Sequence, residues 1–171
     1  MTSTGIAVFS TCDFCDAHKD DLSGDFRVLS ASFRNYGGVS RFCGEVVTVK
    51  CHEDNTPVKQ AVEREGMGRV LVVDGGGSMR RALLGGNLAL SAAQQGWAGL
   101  VIDGCVRDLA ELRAAQVGIR ALAHVPMPTV RQQPGHTGVP VLIQGVWVRP
   151  GEWLYADEDG IVVVPKRLHK D

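Results

Sequence analysis

Apolar residues follow two alternating patterns along the chain, short continuous runs and longer stretches with helical spacing. The short runs predict strands at 26–32, 42–49, 69–74, 99–102, 119–123, 139–143, 146–148 and 161–164. The helical spacing predicts helices at 11–23, 57–65, 85–95 and 109–115. The segment 125–138, rich in proline and glycine, is predicted to be a loop. Strands that alternate with helices indicate an α/β fold.

Length and composition are those of one globular domain spanning residues 1–171. With 171 residues and 44% hydrophobic content, the chain can bury one sizeable core. The net charge of −1, with lysines and arginines scattered, gives no electrostatic footprint for nucleic acid or for an anionic membrane. No apolar run approaches the roughly 20 residues that span a bilayer, and residues 1–5 lack a signal-peptide start. We therefore expect a cytoplasmic protein.

The candidate site combines a glycine-led helix start with an adjacent arginine and acid. Gly85-Gly86-Asn87-Leu88 opens one predicted helix, and Arg107-Asp108 follows the next predicted strand. Backbone N–H groups at a helix start favour an anion, and arginine offers a planar fork to a carboxylate. An aspartate with several water positions is a usual anchor for Mg²⁺. The pattern predicts an enzyme that acts on a small keto acid.

Two other motifs are better explained by structure than by chemistry. The loop Asp74-Gly75-Gly76-Gly77-Ser78 lacks the Lys-Ser/Thr ending of a phosphate loop and the spacing of a dinucleotide fingerprint, so a tight turn is expected. Cys12 and Cys15 have the spacing of a zinc or redox pair, yet no second pair follows. Taken alone, an Arg-Asp pair is also more often a surface ion pair than a metal site.

Five segments together resemble the RraA-like family, nearly end to end: 74–83, 96–101, 104–108, 118–122 and 153–157. That family includes regulators that bind ribonuclease E and class II 4-hydroxy-4-methyl-2-oxoglutarate aldolases, which also decarboxylate oxaloacetate. Its aldolase branch carries a Gly or Asp, twenty residues, Arg-Asp, two residues and an acid. Here these positions are Gly86, Arg107, Asp108 and Glu111. The pure regulators lack the Asp, so the resemblance implies a metal-dependent pyruvate aldolase.

The resemblance also implies an architecture and an assembly. The fold would be a single α/β domain of the swivelling β/β/α type, with a mixed β-sheet core flanked by helices. The chain would form a ring-like homotrimer with active sites at the subunit interfaces.

Aldol cleavage and oxaloacetate decarboxylation both leave the enolate of pyruvate, so one site can serve both. We expect Asp108 to hold Mg²⁺ or Mn²⁺, with Glu111, one helical turn later, acting through a bound water. Arg107 would lie against the same substrate oxygens, and the amides of 85–88 would hold the pyruvate carboxylate. The general base stays open between a metal-bound hydroxide, an acid such as Asp103 and a residue of a neighbouring subunit.

Two functions of other classes compete with the aldolase. A protein-binding regulator of a ribonuclease would act through surface patches and would not need Asp108. A menaquinone methyltransferase is disfavoured, because no glycine-rich loop followed by an acidic strand end suits S-adenosylmethionine.

Overall fold

The computed structural model describes residues 8–170. The helices are α1 (Thr11–His18), α2 (Thr56–Val62), α3 (Gly86–Gln94) and α4 (Leu109–Ala114). The strands are β1 (Arg27–Val28), β2 (Arg34–Asn35), β3 (Phe42–Lys50), β4 (Val70–Asp74), β5 (Ala82–Leu84), β6 (Gly99–Val106), β7 (Gly118–His124), β8 (His136–Thr137), β9 (Val141–Ile143), β10 (Val146–Val148), β11 (Trp153–Ala156) and β12 (Ile161–Val164).

One ten-stranded mixed sheet organises the described part of the chain. Its centre is the parallel set β3, β4, β6 and β7. On one side β11, β12 and β1 continue the sheet antiparallel, and on the other side β2 pairs antiparallel with β7. Strand β5 lies parallel to β6, β8 pairs with β3, and β9 and β10 form a separate hairpin. The expected α/β fold with a mixed sheet is therefore confirmed.

The two faces of the central sheet pack against different partners. Strand β4 is buried throughout, and its side chains alternate between the faces. Leu71 and Val73 join the core formed with α2, α3 and α4. Val70 and Val72 join a second core that includes Val141 and other residues of the β9–β10 hairpin. Helices thus cover one face and the hairpin covers the other.

The first predicted helix is too long, and the strand predicted after it is too long as well. Helix α1 ends at His18 rather than at residue 23. Beyond it, the Asp21 carboxylate accepts hydrogen bonds from the backbone N–H groups of Ser23 and Phe26. This local hydrogen bonding competes with a helix. The predicted strand 26–32 is reduced to β1, Arg27–Val28.

Several short strands escape the sequence pattern. Strands β2 and β8 are two-residue, exposed pieces that pair through the backbone at the margins of the sheet. Strand β5 has only three residues, and β11 was not anticipated. Strand β6 continues to Val106 instead of ending at Ile102, with a register shift after Ile102 in its pairing with β7.

No helix within residues 8–170 is long and apolar enough to cross a membrane. Residues 1–5, whose sequence contributes to the expected cytoplasmic location, lie outside the described residues.

Candidate active site

Strands β5 and β6 end side by side, because Leu84 pairs with Val106 in parallel. The backbone N–H of Arg107 donates to the Leu84 carbonyl at 3.0 Å, so both chains leave the sheet at the same point. Gly85 then leads into α3, and Asp108 leads into α4. A cavity of about 300 Å³ opens here, and six of the residues that line it are candidates from the sequence: Gly85, Gly86, Asn87, Leu88, Arg107 and Asp108.

Asp108 caps α3 from outside that helix. Its backbone is left-handed, with φ 61° and ψ 50°, at the residue before α4. Its Oδ2 accepts a hydrogen bond from the backbone N–H of Gly86 at 3.0 Å. A Cβ on Gly85 would lie 2.6 Å from the same oxygen, so glycine permits this approach. The negative charge is also favoured at the helix N-terminus.

Glu111 lies against the same glycine segment. It belongs to the first turn of α4, and a Cβ on Gly86 would lie 1.6 Å from its Oε2. The carboxylates of Asp108 and Glu111 therefore border the two adjacent glycines. Glu111 is not among the residues that line the cavity, whereas Asp108 is.

Arg107 faces the cavity beside Asp108. Its Nε lies 3.8 Å from Asp108 Oδ2, and its Nη1 donates to the Pro126 carbonyl at 3.4 Å. Both side chains of the pair are 40% exposed. A guanidinium that is held this loosely can still turn its donors toward an anion in the cavity.

The loop after β7 supplies lining residues that sequence reasoning missed. Pro128, Thr129 and Arg131 line the cavity together with Asn55 and Ala82. Buried Asn55 ties this wall together: its backbone N–H donates to Thr129 Oγ1 at 3.2 Å, and its Oδ1 accepts from Arg131 Nε at 3.0 Å. The sequence predicts only a proline- and glycine-rich loop here, and an arginine without a motif around it gives no signal.

Asp54 fixes the next residues of that loop. Its Oδ2 accepts hydrogen bonds from the backbone N–H groups of Gln132 at 2.7 Å and Gln133 at 2.8 Å. Thr56 donates to Oδ1 through its backbone N–H and its hydroxyl. Burial opposes the charge of Asp54, but these hydrogen bonds outweigh it and lower the pKa to about 2. The carboxylate therefore stays ionised and holds the loop.

Asp103, a candidate base, is not brought to the cavity. It is 3% exposed, and its Oδ1 accepts a hydrogen bond from Gln144 Nε2 at 2.8 Å. Its backbone carbonyl accepts from Gly77, under the glycine turn. Burial raises the pKa of Asp103, and the nearby charge of Asp74 raises it further, against the hydrogen bonds from Gln144. These contacts tie it to the turn and to the β9–β10 hairpin.

The donor set fits a hard divalent cation that keeps most of its waters. Within residues 8–170 no group of three or more His, Cys, Asp or Glu side chains is arranged around one point. The two carboxylates at the glycine segment offer oxygen donors only, and Asp108 faces the cavity. Mg²⁺ and Mn²⁺ accept one or two carboxylates with water and substrate oxygens completing the shell, whereas Zn²⁺ sites are built with nitrogen or sulfur.

Comparison with known proteins decides the family. The model of the RraA-like family, Aldolase/RraA, matches residues 11–163. The chain belongs to the RraA-like family. A relative from Albidiferax ferrireducens, named "Putative 4-hydroxy-4-methyl-2-oxoglutarate aldolase", is 62% identical, and the match covers 94% of this chain and 97% of the relative. One of the same name from Burkholderia multivorans is 53% identical and covers 91% and 95%.

Two solved structures share the fold closely. The RNA-processing inhibitor RraA from Thermus thermophilus has a TM-score of 0.87 at 44% identity, covering 94% of this chain and 95% of that one. A structure from Geobacillus kaustophilus described as an S-adenosylmethionine:2-dimethylmenaquinone methyltransferase also scores 0.87, at 41% identity, covering 94% and 97%. Relatives of this one fold therefore carry three different functional names.

Proposed function

We propose that this RraA-like protein is a divalent-metal-dependent aldolase that cleaves 4-hydroxy-4-methyl-2-oxoglutarate into two molecules of pyruvate. We extend the proposal to decarboxylation of oxaloacetate at the same site. The observation that carries it is the position of Asp108, an exposed carboxylate between Arg107 and the N-terminus of α3 at the wall of the cavity.

The start of α3 supplies two amides for the substrate carboxylate. Ala89 N–H makes the first bond within the helix, to the Gly85 carbonyl, and Gly86 N–H is taken by Asp108. Asn87 and Leu88 line the cavity, and their N–H groups are the ones that the helix geometry leaves for an anion. The carboxylate of a 2-oxo acid fits there, with its oxo group directed toward Arg107 and Asp108.

In the aldol cleavage the bond between C3 and C4 breaks. The proton of the 4-hydroxyl goes to a base, C4 becomes the carbonyl of one pyruvate, and the bonding electrons pass to C3 as the enolate of the other. Protonation of C3 completes the second pyruvate. In oxaloacetate the same bond breaks with loss of CO₂. Arg107 is placed to stabilise charge on the enolate oxygen, which is greatest in the transition state.

Asp108 would hold the metal, with Glu111 oriented toward its waters, and Mg²⁺ or Mn²⁺ so bound would supply positive charge at the 2-oxo group. Asp108 is the one acid among the residues of 8–170 that line the cavity. A base from a neighbouring subunit would complement it, and we include a homotrimer and a cytoplasmic location in the proposal. A mass in solution of three times the 18.3 kDa chain is expected.

The deciding experiment is release of pyruvate, followed with lactate dehydrogenase and NADH. The purified chain is given 4-hydroxy-4-methyl-2-oxoglutarate or oxaloacetate with Mg²⁺ or Mn²⁺, and in parallel with EDTA. Blanks with metal and no protein correct for spontaneous decarboxylation. Turnover that requires the metal supports the proposal, and turnover at the blank rate with both substrates contradicts it.

A ribonuclease regulator is the competing function, favoured by the Thermus thermophilus relative described as an RNA-processing inhibitor. Such a protein would inhibit a ribonuclease equally well with or without Asp108. Inhibition of ribonuclease E by the parent and by Asp108→Asn, with no pyruvate release by either, would favour that function.

A further inference from the structure

The cavity has a second arginine, Arg131, which reaches it from the loop after β7, whereas Arg107 follows β6. We propose that Arg131 binds the distal carboxylate of the substrate and so selects 2-oxo acids that carry a second acid group. This inference rests on the proposed function, since it assumes that a 2-oxo acid occupies the cavity.

The hydrogen bonds of Arg131 leave its terminal nitrogens available. Only its Nε is engaged, by Asn55 Oδ1 at 3.0 Å, and neither Nη atom donates to another residue of the described chain. Asn55 is itself 6% exposed, and its Nδ2 donates to the Leu83 carbonyl at 3.1 Å. The tether therefore fixes one edge of the guanidinium through a rigid amide. The two terminal N–H groups remain for a fork on a carboxylate.

The distribution of charge points to a ligand with two acid groups. Arg107 has Asp108 as an ion-pair partner at 3.8 Å, whereas the ion pairs among residues 8–170 include none with Arg131. In the proposed function, the start of α3 binds the carboxylate next to the oxo group, close to Arg107. Arg131 is exposed, so water meets its terminal nitrogens when the cavity is empty, and a second carboxylate of the ligand can replace that water and pair with the charge.

The loop that carries Arg131 is held in place on both sides. Thr129 accepts from the backbone of Asn55, and Gln132 and Gln133 donate to Asp54. A substitution of Arg131 removes the fork and its hydrogen bond to Asn55 Oδ1, but the anchors at Thr129, Gln132 and Gln133 do not involve the guanidinium and remain. The site can thus be tested by a side-chain change alone.

The contribution of the distal carboxylate can be measured with two 2-oxo acids that the enzyme does not cleave. In 2-oxoglutarate the second carboxylate has the position that it has in 4-hydroxy-4-methyl-2-oxoglutarate, but the 4-hydroxyl needed for cleavage is absent. In 2-oxovalerate a methyl group ends the same five-carbon chain. Calorimetric titration of each acid, with Mg²⁺ present, measures what the second carboxylate contributes.

We expect the parent to bind 2-oxoglutarate at least about tenfold more tightly than 2-oxovalerate, which corresponds to about 1.4 kcal/mol. Arg131→Gln should bring the two dissociation constants within about twofold, through weaker binding of 2-oxoglutarate alone. Arg113→Gln, at an exposed arginine of α4 that does not line the cavity, should keep the parent ratio.

Three results would overturn the assignment. If Arg131→Gln keeps the parent ratio, or weakens both acids equally, Arg131 does not recognise the distal carboxylate, while pyruvate release by the parent would still uphold the proposed function. If the parent binds neither acid and releases no pyruvate, both proposals fail.

Discussion

The carboxylate of Glu111 lies in the space that a side chain on residue 86 would occupy. A Cβ on Gly86 would be 1.6 Å from Glu111 Oε2 and 2.8 Å from Glu111 Cβ. The exposed Glu111 carboxylate can turn away from a larger residue at position 86, but the Glu111 Cβ is fixed to the backbone of α4, so the start of α3 and α4 would also have to shift. The glycine thereby keeps an acid beside Asp108 and the start of α3.

We expect Gly86→Val to weaken inhibition by oxalate, a flat analogue of the pyruvate enolate, by at least about tenfold, or about 1.4 kcal/mol. The physical reason is the expulsion of Glu111 from the glycine segment together with crowding at the helix start. The measurement is the inhibition constant for oxalate in the pyruvate-release assay.

Gly86→Asp is the matched contrast, because its Cβ meets the same Glu111 side chain as that of valine, but it brings a carboxylate of its own to the start of α3. It should keep the inhibition constant within about threefold of the parent. A parent-like constant for Gly86→Val would mean that the glycine serves only the turn.

Arg107→Lys should lower kcat by at least about tenfold while KM changes by less than about threefold. Lysine keeps the charge but loses the planar fork, and charge on the enolate oxygen is greatest in the transition state. Steady-state kinetics with oxaloacetate make the comparison, with Arg113→Lys as control. A rise in KM with kcat unchanged would reduce Arg107 to an anchor for the substrate.

We expect the hydrogen bonds of the Asp54 carboxylate to stabilise the fold at neutral pH and to do so less at low pH. Its pKa in the folded protein is about 2, below the ordinary value of 3.8, so its stabilising effect is fully present above the unfolded pKa and is lost as pH falls toward 2. Asp54→Asn should lower the Tm by a few degrees at pH 7, and the difference should shrink below about pH 4.

Thermal denaturation of the parent, Asp54→Asn and the exposed-site control Asp20→Asn at several pH values makes this test. A Tm difference for Asp54→Asn that stays constant from pH 7 to pH 3 would contradict the assignment of the carboxylate as the loop anchor.

The central strands were predictable because their signal is strong. Strand β4 and residues 99–102 of β6 are buried on both faces and read as continuous apolar runs. Asp103 interrupts the run in β6, so the continuation of that strand to Val106 was not predicted. The strands at the margins of the sheet were not predictable. Strands β2 and β8 each have two exposed residues and are held by backbone hydrogen bonds, which leave no hydrophobic pattern in the sequence. Helix α1 was overextended because the side chain of Asp21 takes over backbone N–H groups, a competition that periodicity does not register.

The residues of the candidate site also fall into those that the sequence predicts and those that only the folded chain reveals. Gly86, Arg107 and Asp108 share a local motif, and parallel pairing of β5 with β6 brings its two parts together. Arg131 and Asn55 reach the cavity from segments 76 residues apart, and their hydrogen bond exists only in the folded chain. Asp103 follows Ile102 in the same strand, yet the hydrogen bond to Gln144 ties it to the hairpin instead.

Asp108→Asn is the variant that separates charge from structure. Asparagine tolerates the left-handed backbone at this position, and its amide oxygen can accept the hydrogen bond from Gly86 N–H. Alanine would lose that cap and strain the backbone, at a cost of about 1–2 kcal/mol in the free energy of unfolding. Asp108→Asn should therefore keep the Tm and the oligomeric state of the parent.

The central claim is that the Asp108 carboxylate supports metal-dependent formation of pyruvate. The most direct measurement is kcat/KM for 4-hydroxy-4-methyl-2-oxoglutarate with Mg²⁺, for the parent and for Asp108→Asn, at a Tm shown to be equal. The account predicts a loss of at least about a hundredfold, or about 2.7 kcal/mol of transition-state stabilisation. Activity of Asp108→Asn within a few-fold of the parent would contradict it.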